Sequence, residues 1–351
     1  MPRLPLQGLS PSALSEAVEG VTLTEARRIH SRMMRGLPYD RDLSDVRRAS
    51  RQRVVAETFE PKLSVAAHEA SQLDPFEKWA FRAEDGSVFE TVRIPLEREG
   101  RFSACVSSQV GCALACAFCA TGRLGLKRNL ETWEIVEQVR VLRSSLPEGA
   151  RIHGVVFQGM GEPLANFERV RDAILILGEP SGLAIDTRNI TVCTAGLPSG
   201  IRRLARELPK VRLGLSVGSA IEETRRTLMP ITKAHAFSEI IDAVAEHALE
   251  TGMAPMFALT PLRGVNDTEA HAKAFGDLMH KFTERTGKRP RVSIIPYNRT
   301  DDASDPFSRQ LEEEEERFRT QLRAAGVATH WRYSGGADVK AACGQLAATN
   351  S

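Results

Sequence analysis

The chain has 351 residues, 42% hydrophobic and 26% charged, so it is too long for one small module and rich enough in apolar residues for a substantial core. A formal net charge of +2 neither demands nor excludes a nucleic-acid partner. No apolar run approaches the roughly 20 residues that span a bilayer, and the opening MPRLPLQGLSPSALSEAVEG lacks the basic-then-apolar pattern of a secretory signal, which predicts a cytoplasmic protein with no membrane partner.

Residues 1–85 read as a helical, Arg-rich N-terminal domain. SPSALSEAVEG and LTEARRIHSRMMRG are short amphipathic stretches, with Thr22 or Thr24 as the cap of the second. Nine arginines lie between Arg27 and Arg53 (27, 28, 32, 35, 41, 47, 48, 51 and 53) against Asp40, Asp42 and Asp45. Such a stretch is either an RNA-facing phosphate patch or a solvated helix surface. FRAEDGSVFETVRIPL then carries a hairpin signal at Asp85-Gly86.

From about residue 100, apolar strand-like runs alternate with helical periods. The expected strands are FSACVSS, RIHGVVFQGMG, NITVCTAG, VRLGLSVGS, APMFALTPL and RVSIIPYN. TWEIVEQVRVLRSS, FERVRDAILILG, FSEIIDAVAEHALETG and LEEEEERFRTQLRAAG read as helices between and after them. Six repeats of this alternation predict an α/β fold, a partial (β/α)6 TIM-like barrel over residues 86–335, followed by a tail over 336–351. Reactive groups are expected at the C-terminal ends of its strands.

Four of the six cysteines, Cys105, Cys112, Cys116 and Cys119, fall within fifteen residues; Cys193 and Cys343 stand apart. The CxxxCxxC segment from Cys112 to Cys119 supplies three soft thiolates, suited to an iron-sulfur cluster or to zinc. A structural zinc site needs a fourth ligand, and none sits at ordinary spacing. Three ligands suit a 4Fe-4S cubane with one iron left for an exchangeable ligand. One strand later, Gly159-Met160-Gly161-Glu162-Pro163 places a carboxylate beside glycines that let a ligand approach the backbone. Together the two motifs resemble those of the radical S-adenosylmethionine (SAM) enzymes, in which the open iron binds the amino and carboxylate groups of SAM and Gly161 and Glu162 would meet its amino group.

CVSSQVGCALACAFCATG (105–122), RNL (128–130), GMGEP, IPYN (295–298), ACGQL (342–346) and ETVRIP (90–95) are, in addition, similar to the RlmN/Cfr family of radical-SAM RNA methyltransferases. The resemblance implies a SAM-dependent methyltransferase with a 4Fe-4S cluster on Cys112, Cys116 and Cys119. It implies methylation of carbon 2 or carbon 8 of an adenosine in ribosomal RNA or tRNA, with electrons from a donor such as a flavodoxin-type reductase system. These ring carbons are electron-poor and have no polar route to the electrophilic methyl of SAM. The resemblance accordingly makes Cys343 the methyl carrier, Cys105 the thiol that releases the RNA adduct by forming a transient disulfide, and Glu90 the proton acceptor. It adds Asn298 as an adenosine contact and Cys193, Ser216, Val217 and Gly218 as further SAM contacts.

Two of these positions depart from the family. Cys193 stands where Ser is usual, and Ser216-Val217-Gly218 replaces Ser-Leu-His, removing an imidazole. RTDDASDPF after Asn298 also lacks the customary Pro-rich continuation. The competing readings are a radical-SAM enzyme acting on a non-RNA substrate, and a cluster- or zinc-stabilised RNA-binding module. The latter would need neither GMGEP nor the distal cysteine pair.

Overall fold

A short parallel pair, β1 (Leu4–Pro5) with β2 (Thr58–Phe59), brackets three helices, α1 (Pro11–Ala17), α2 (Leu23–Met34) and α3 (Arg48–Glu57). The computed structural model describes residues 3–41, 43–300 and 303–347. Thr22 is the cap of α2. Its hydroxyl accepts the Glu25 N–H at 3.3 Å, while the Glu25 carboxylate accepts the Thr22 N–H at 3.0 Å. Arg47 donates to the same carboxylate at 2.8 Å, tying α2 to the start of α3 and holding Glu25 far below the usual carboxylate range.

The helices end at Glu57, well short of residue 85. β3 (Ser64–Ala70) and β4 (Glu77–Arg82) follow and join the main sheet, because Trp79 and Phe81 bury one face of β4 at strand spacing. β4 and β5 (Val88–Pro95) form the expected hairpin, in which Gly86 takes φ 76° and the Asp85 carboxylate accepts the Ser87 N–H at 2.9 Å.

The barrel then runs β6 (Arg101–Cys105), a cluster loop, α5 (Thr132–Ser144), β9 (Arg151–Phe157), α6 (Phe167–Gly178), β10 (Ile190–Thr194), α7 (Pro198–Glu207), β11 (Arg212–Ser216), α8 (Glu222–Leu228), α9 (Phe237–Thr251), β12 (Met256–Leu259), α10 (Glu269–Thr286), β13 (Arg291–Ile294), α11 (Glu312–Ala324) and β14 (Thr329–Trp331). Within the cluster loop lie a small hairpin, β7 (Gln109–Gly111) with β8 (Leu126–Asn129), and α4 (Ala120–Arg123). All six expected parallel strands are present. A seventh, β14, extends them, and β5, β4 and β3 add three antiparallel strands beyond β6. The order is β14-β13-β12-β11-β10-β9-β6-β5-β4-β3, so the ten-stranded sheet ends in two edges and the barrel stays partial.

Side-chain parity decides what reaches the lumen. Along β11 and its extension, Leu213, Leu215 and Val217 are buried in the core, and they alternate with Arg212, Ser216 and Gly218, which line cavities. No helix among the described residues is long and apolar enough to cross a membrane.

Candidate active site

The loop after β6 is held from several sides. The Cys112 N–H donates to the Gly125 carbonyl at 2.9 Å, Cys119 to Cys116 at 3.1 Å and Ala117 to the Leu228 carbonyl at 2.9 Å. Gly111 has φ 74°, and a Cβ there would collide with the Gly125 carbonyl, so only glycine allows the hairpin to close. The loop brings Cys112, Cys116 and Cys119 to one wall of a cavity of about 150 Å³ at the C-terminal ends of the strands. Gly161, Glu162, Cys193, Ser216, Gly218 and Cys343 line it as well. Burial pushes the Cys112 thiol up to about 11 and raises Cys116 further, which a bound cation would reverse.

These donors fit a cubane. Three thiolates supplied by one loop to the wall of one cavity suit an iron-sulfur group with one iron left for another ligand. The cluster would sit on Cys112, Cys116 and Cys119.

Glu162 ends β9's extension inside the same cavity. Burial raises its carboxyl to about 7, against the hydrogen bonds it accepts from the Ala195 N–H at 2.9 Å and the Leu164 N–H at 3.1 Å. An incoming ammonium group would supply the missing charge. The glycines of the motif serve packing too. Gly161 has φ 99°, and a Cβ would lie 2.5 Å from the Gln109 side chain.

Cys343 occupies the partition between two cavities. It lines the first one and also a second of about 410 Å³, whose wall includes Cys105, Gln158, Thr191 and Arg332. Burial raises the Cys105 thiol, and the Cys343 and Cys193 thiols raise it further. Cys343 is raised by burial and pulled back by the Arg332 guanidinium. Burial pushes Cys193 up to about 12; its thiol faces the Gln158 carboxamide oxygen at 3.8 Å. Gln158 and Arg332 escaped the sequence reading. Gln158 directly precedes GMGEP, and Arg332 follows the short β14 with no motif around it.

Three expected residues stand elsewhere. Val217 does not line the cavity: its side chain is fully buried and its N–H donates to the Ala258 carbonyl at 2.8 Å. Asn298 lines neither cavity. Its Nδ2 donates to the carbonyls of Cys343 and Pro296, each at 3.2 Å, and to Ser334 Oγ at 2.8 Å, making it a clamp on the tail. Glu90 is buried in an ion pair with Lys78 at 3.1 Å and accepts the Ala347 N–H at 2.8 Å, on a third cavity apart from the two thiols. The N-terminal arginines divide as well. Arg27, Arg28, Arg47 and Arg53 pair with Glu179, Asp45, Glu25 and Glu19, and Arg32 donates to the Pro38 carbonyl. Arg35, Arg41 and Arg48 are exposed, with no partner among the described residues.

Comparison with known proteins places the chain in a family. The Radical SAM superfamily model matches residues 106–274. A probable RNA methyltransferase of Sorangium cellulosum is 54% identical over 349 residues, covering 93% of this chain and 88% of that one. The dual-specificity RNA methyltransferase RlmN of Syntrophobacter fumaroxidans is 41% identical, covering 82% and 80%. The chain belongs to the RlmN/Cfr family of radical-SAM RNA methyltransferases. A crystal structure of a radical SAM methyltransferase from Sphaerobacter thermophilus matches with TM-score 0.87 and 35% identity, over 98% of this chain and 99% of that one. The RlmN/Cfr assignment makes this protein a SAM-dependent methyltransferase whose cofactors are a 4Fe-4S cluster and SAM.

Proposed function

We propose that the protein methylates carbon 2 or carbon 8 of an adenosine in ribosomal RNA or tRNA through S-methyl-Cys343. The observation that carries this reading is the position of Cys343, with one side on the cavity of the cluster cysteines and Glu162 and the other on the cavity of Cys105. A thiol so placed can receive a group on one side and deliver it on the other. The names of the relatives, RNA methyltransferases throughout, support RNA as the acceptor.

When bound, the cluster and SAM supply the methyl group and the 5'-deoxyadenosyl radical that removes a hydrogen from it. The chain's own residues do the rest. Cys112, Cys116 and Cys119 hold the cluster, and Glu162, with Gly161, Cys193, Ser216 and Gly218 around it, orients the amino end of SAM. Cys343 takes the methyl on Sγ and presents its carbon to the adenine ring. The adduct so formed gives up its ring proton and one electron, the electron returning to the bound cluster. Cys105 then bonds to Cys343 Sγ as the sulfur–carbon bond breaks, and the carbon keeps the electron pair and takes a proton. The resulting disulfide requires reduction, in keeping with a cytoplasmic setting. Glu90 could accept the ring proton only after Ala347 leaves its carboxylate. Electrons for the cluster would come from a flavodoxin-type reductase system.

The test is mass spectrometry of nucleosides from ribosomal RNA and tRNA after incubation with reconstituted enzyme, SAM and reductant. A methyladenosine carrying its methyl on a ring carbon is expected in at least one RNA. Its absence from both would overturn the reading.

A further inference from the structure

The second cavity reaches both Cys105 and Cys343 yet carries none of the cluster cysteines and not Glu162. Its lining includes Arg212, Arg332, His153 and His330 and no Asp or Glu. It extends along the lumen from Cys343 to the opposite, N-terminal end of the strands, where Arg212 is the first residue of β11 and Asn189 immediately precedes β10. Arginines cluster at that end. Arg101 and Arg151 open β6 and β9 and face one another in register, and Arg98 precedes them. Arg101 reaches His153 Nε2 at 3.5 Å, and Arg98, Arg101 and Arg151 all depress the His153 imidazole, after the larger effect of burial.

Among the described residues, no carboxylate pairs with Arg98, Arg101, Arg151 or Arg212. Asp186, the carboxylate nearest His153 in effect, is engaged by Arg188 at 2.7 Å. Unneutralised cations held together around a mouth cost self-repulsion, which a polyanion removes. The wall also presents Asn189 and Gln158 amides and the Phe76 and Tyr333 rings, groups that hydrogen-bond or stack on a base.

We propose that this second cavity is the target-nucleotide pocket, and that Arg98, Arg101, Arg151 and Arg212 form a phosphate-binding rim across which the RNA strand lies. The adenosine enters from the N-terminal end of the barrel and meets Cys343 from the side opposite to SAM. Such an approach lets the methyl donor and the acceptor share one sulfur without competing for one cavity. This rests on the role of Cys343 given above. It adds a location and a set of contacts for the RNA, separate from the N-terminal arginines.

The experiment uses reconstituted holoenzyme and unmodified ribosomal RNA and tRNA transcripts. Arg151→Ala/Arg212→Ala should bind RNA about tenfold more weakly, with the slope of log K against log salt reduced by about 1 to 2. Arg151→Lys/Arg212→Lys should bind nearly as the parent does, which separates charge from folding. S-methylation of Cys343, read by mass spectrometry of the protein without RNA, distinguishes the two claims. If the parent never carries the methyl, the functional reading fails. If it does, and the alanine variant keeps the parental affinity and salt slope, the rim is not an RNA site. Unchanged RNA binding with slower reduction of the Cys105–Cys343 disulfide by an acidic dithiol protein would assign the mouth to a reductant and likewise overturn the proposal.

Discussion

Asn298 Nδ2 donates to the main-chain carbonyl of Cys343 at 3.2 Å, so the IPYN segment after β13 clamps the tail residue that divides the two cavities. The tail is tied at other points. The Ala120 N–H donates to the Gly344 carbonyl at 2.8 Å, and Gln345 Nε2 to the Arg299 carbonyl at 2.9 Å. The Asp74 carboxylate accepts from the Gly336 N–H at 2.9 Å and the Tyr333 hydroxyl at 3.0 Å.

Removing the clamp should therefore loosen Cys343 without unfolding the barrel. Asn298→Ala removes two N–H donors, shared among the carbonyls of Cys343 and Pro296 and Ser334 Oγ, at about 1 kcal/mol per donor, and leaves the Cys343 carbonyl one donor short. Alkylation of Cys343 should speed up several-fold, and S-methylation should slow. Unchanged alkylation would show that Asn298 does not hold Cys343 in place.

The cluster prediction is independent of the tail. Anaerobically reconstituted protein should carry about four irons, and replacing Cys112, Cys116 or Cys119 by Ala should remove the brown chromophore. Protein isolated with stoichiometric zinc and no chromophore after reconstitution would sink the assignment.

How much of this was legible in the sequence follows from how local each feature is. The six parallel strands are nearly continuous apolar runs, and the cluster and GMGEP motifs are contiguous, so both could be read directly. β3 and β14 could not. SVAAHEA is exposed throughout, and THW is only three residues long. The resemblance puts Val217 at the cavity, but it follows β11 on the same parity as Leu213 and Leu215, which is buried in the core. The meeting of Cys343 with Cys105 is a tertiary fact, which resemblance anticipated and spacing did not. The proposed arginine rim escaped because Arg101, Arg151 and Arg212 each open a different strand and Arg98 lies in the loop before β6.

A stability prediction comes from two histidines outside the site. His30 on α2 and His247 on α9 are buried, and neither ring has a hydrogen-bond partner among the described residues. Burial lowers each from the ordinary 6.5 to about 4. Between those values the unfolded chain binds protons that the folded chain refuses. The histidines' share of the stability is thus constant above about pH 6.5, declines as pH falls and levels off below about 4. Glu162, raised to about 7, acts in the opposite sense over part of that window. The loss is at most about 3 kcal/mol per histidine. Denaturant melts of the parent and of His247→Leu should differ by one histidine's share of this slope, about half of the histidine contribution. An unchanged slope would place the protons elsewhere.

The sharpest prediction separates the two thiols that share the second cavity. Part of the protein isolated from cells should carry one added CH2 on the Cys343 peptide. Cys343→Ala should be inactive, because no carbon reaches the ring. Cys105→Ala should still accept the methyl and join it to adenine, but it has no thiol to displace the product. RNA should then remain covalently attached to Cys343, as a band that survives denaturation and disappears on ribonuclease digestion. The thiols act in sequence, so Cys105→Ala/Cys343→Ala must behave as Cys343→Ala does. Cys193 provides an internal control, since it is a buried thiol whose charge would raise Cys105 and which Cys343 raises in turn. If it could replace Cys105, the trapped adduct would be short-lived in Cys105→Ala and persist only in Cys105→Ala/Cys193→Ala. Normal turnover by that last variant, or an adduct formed without Cys343, would show the roles to be wrong.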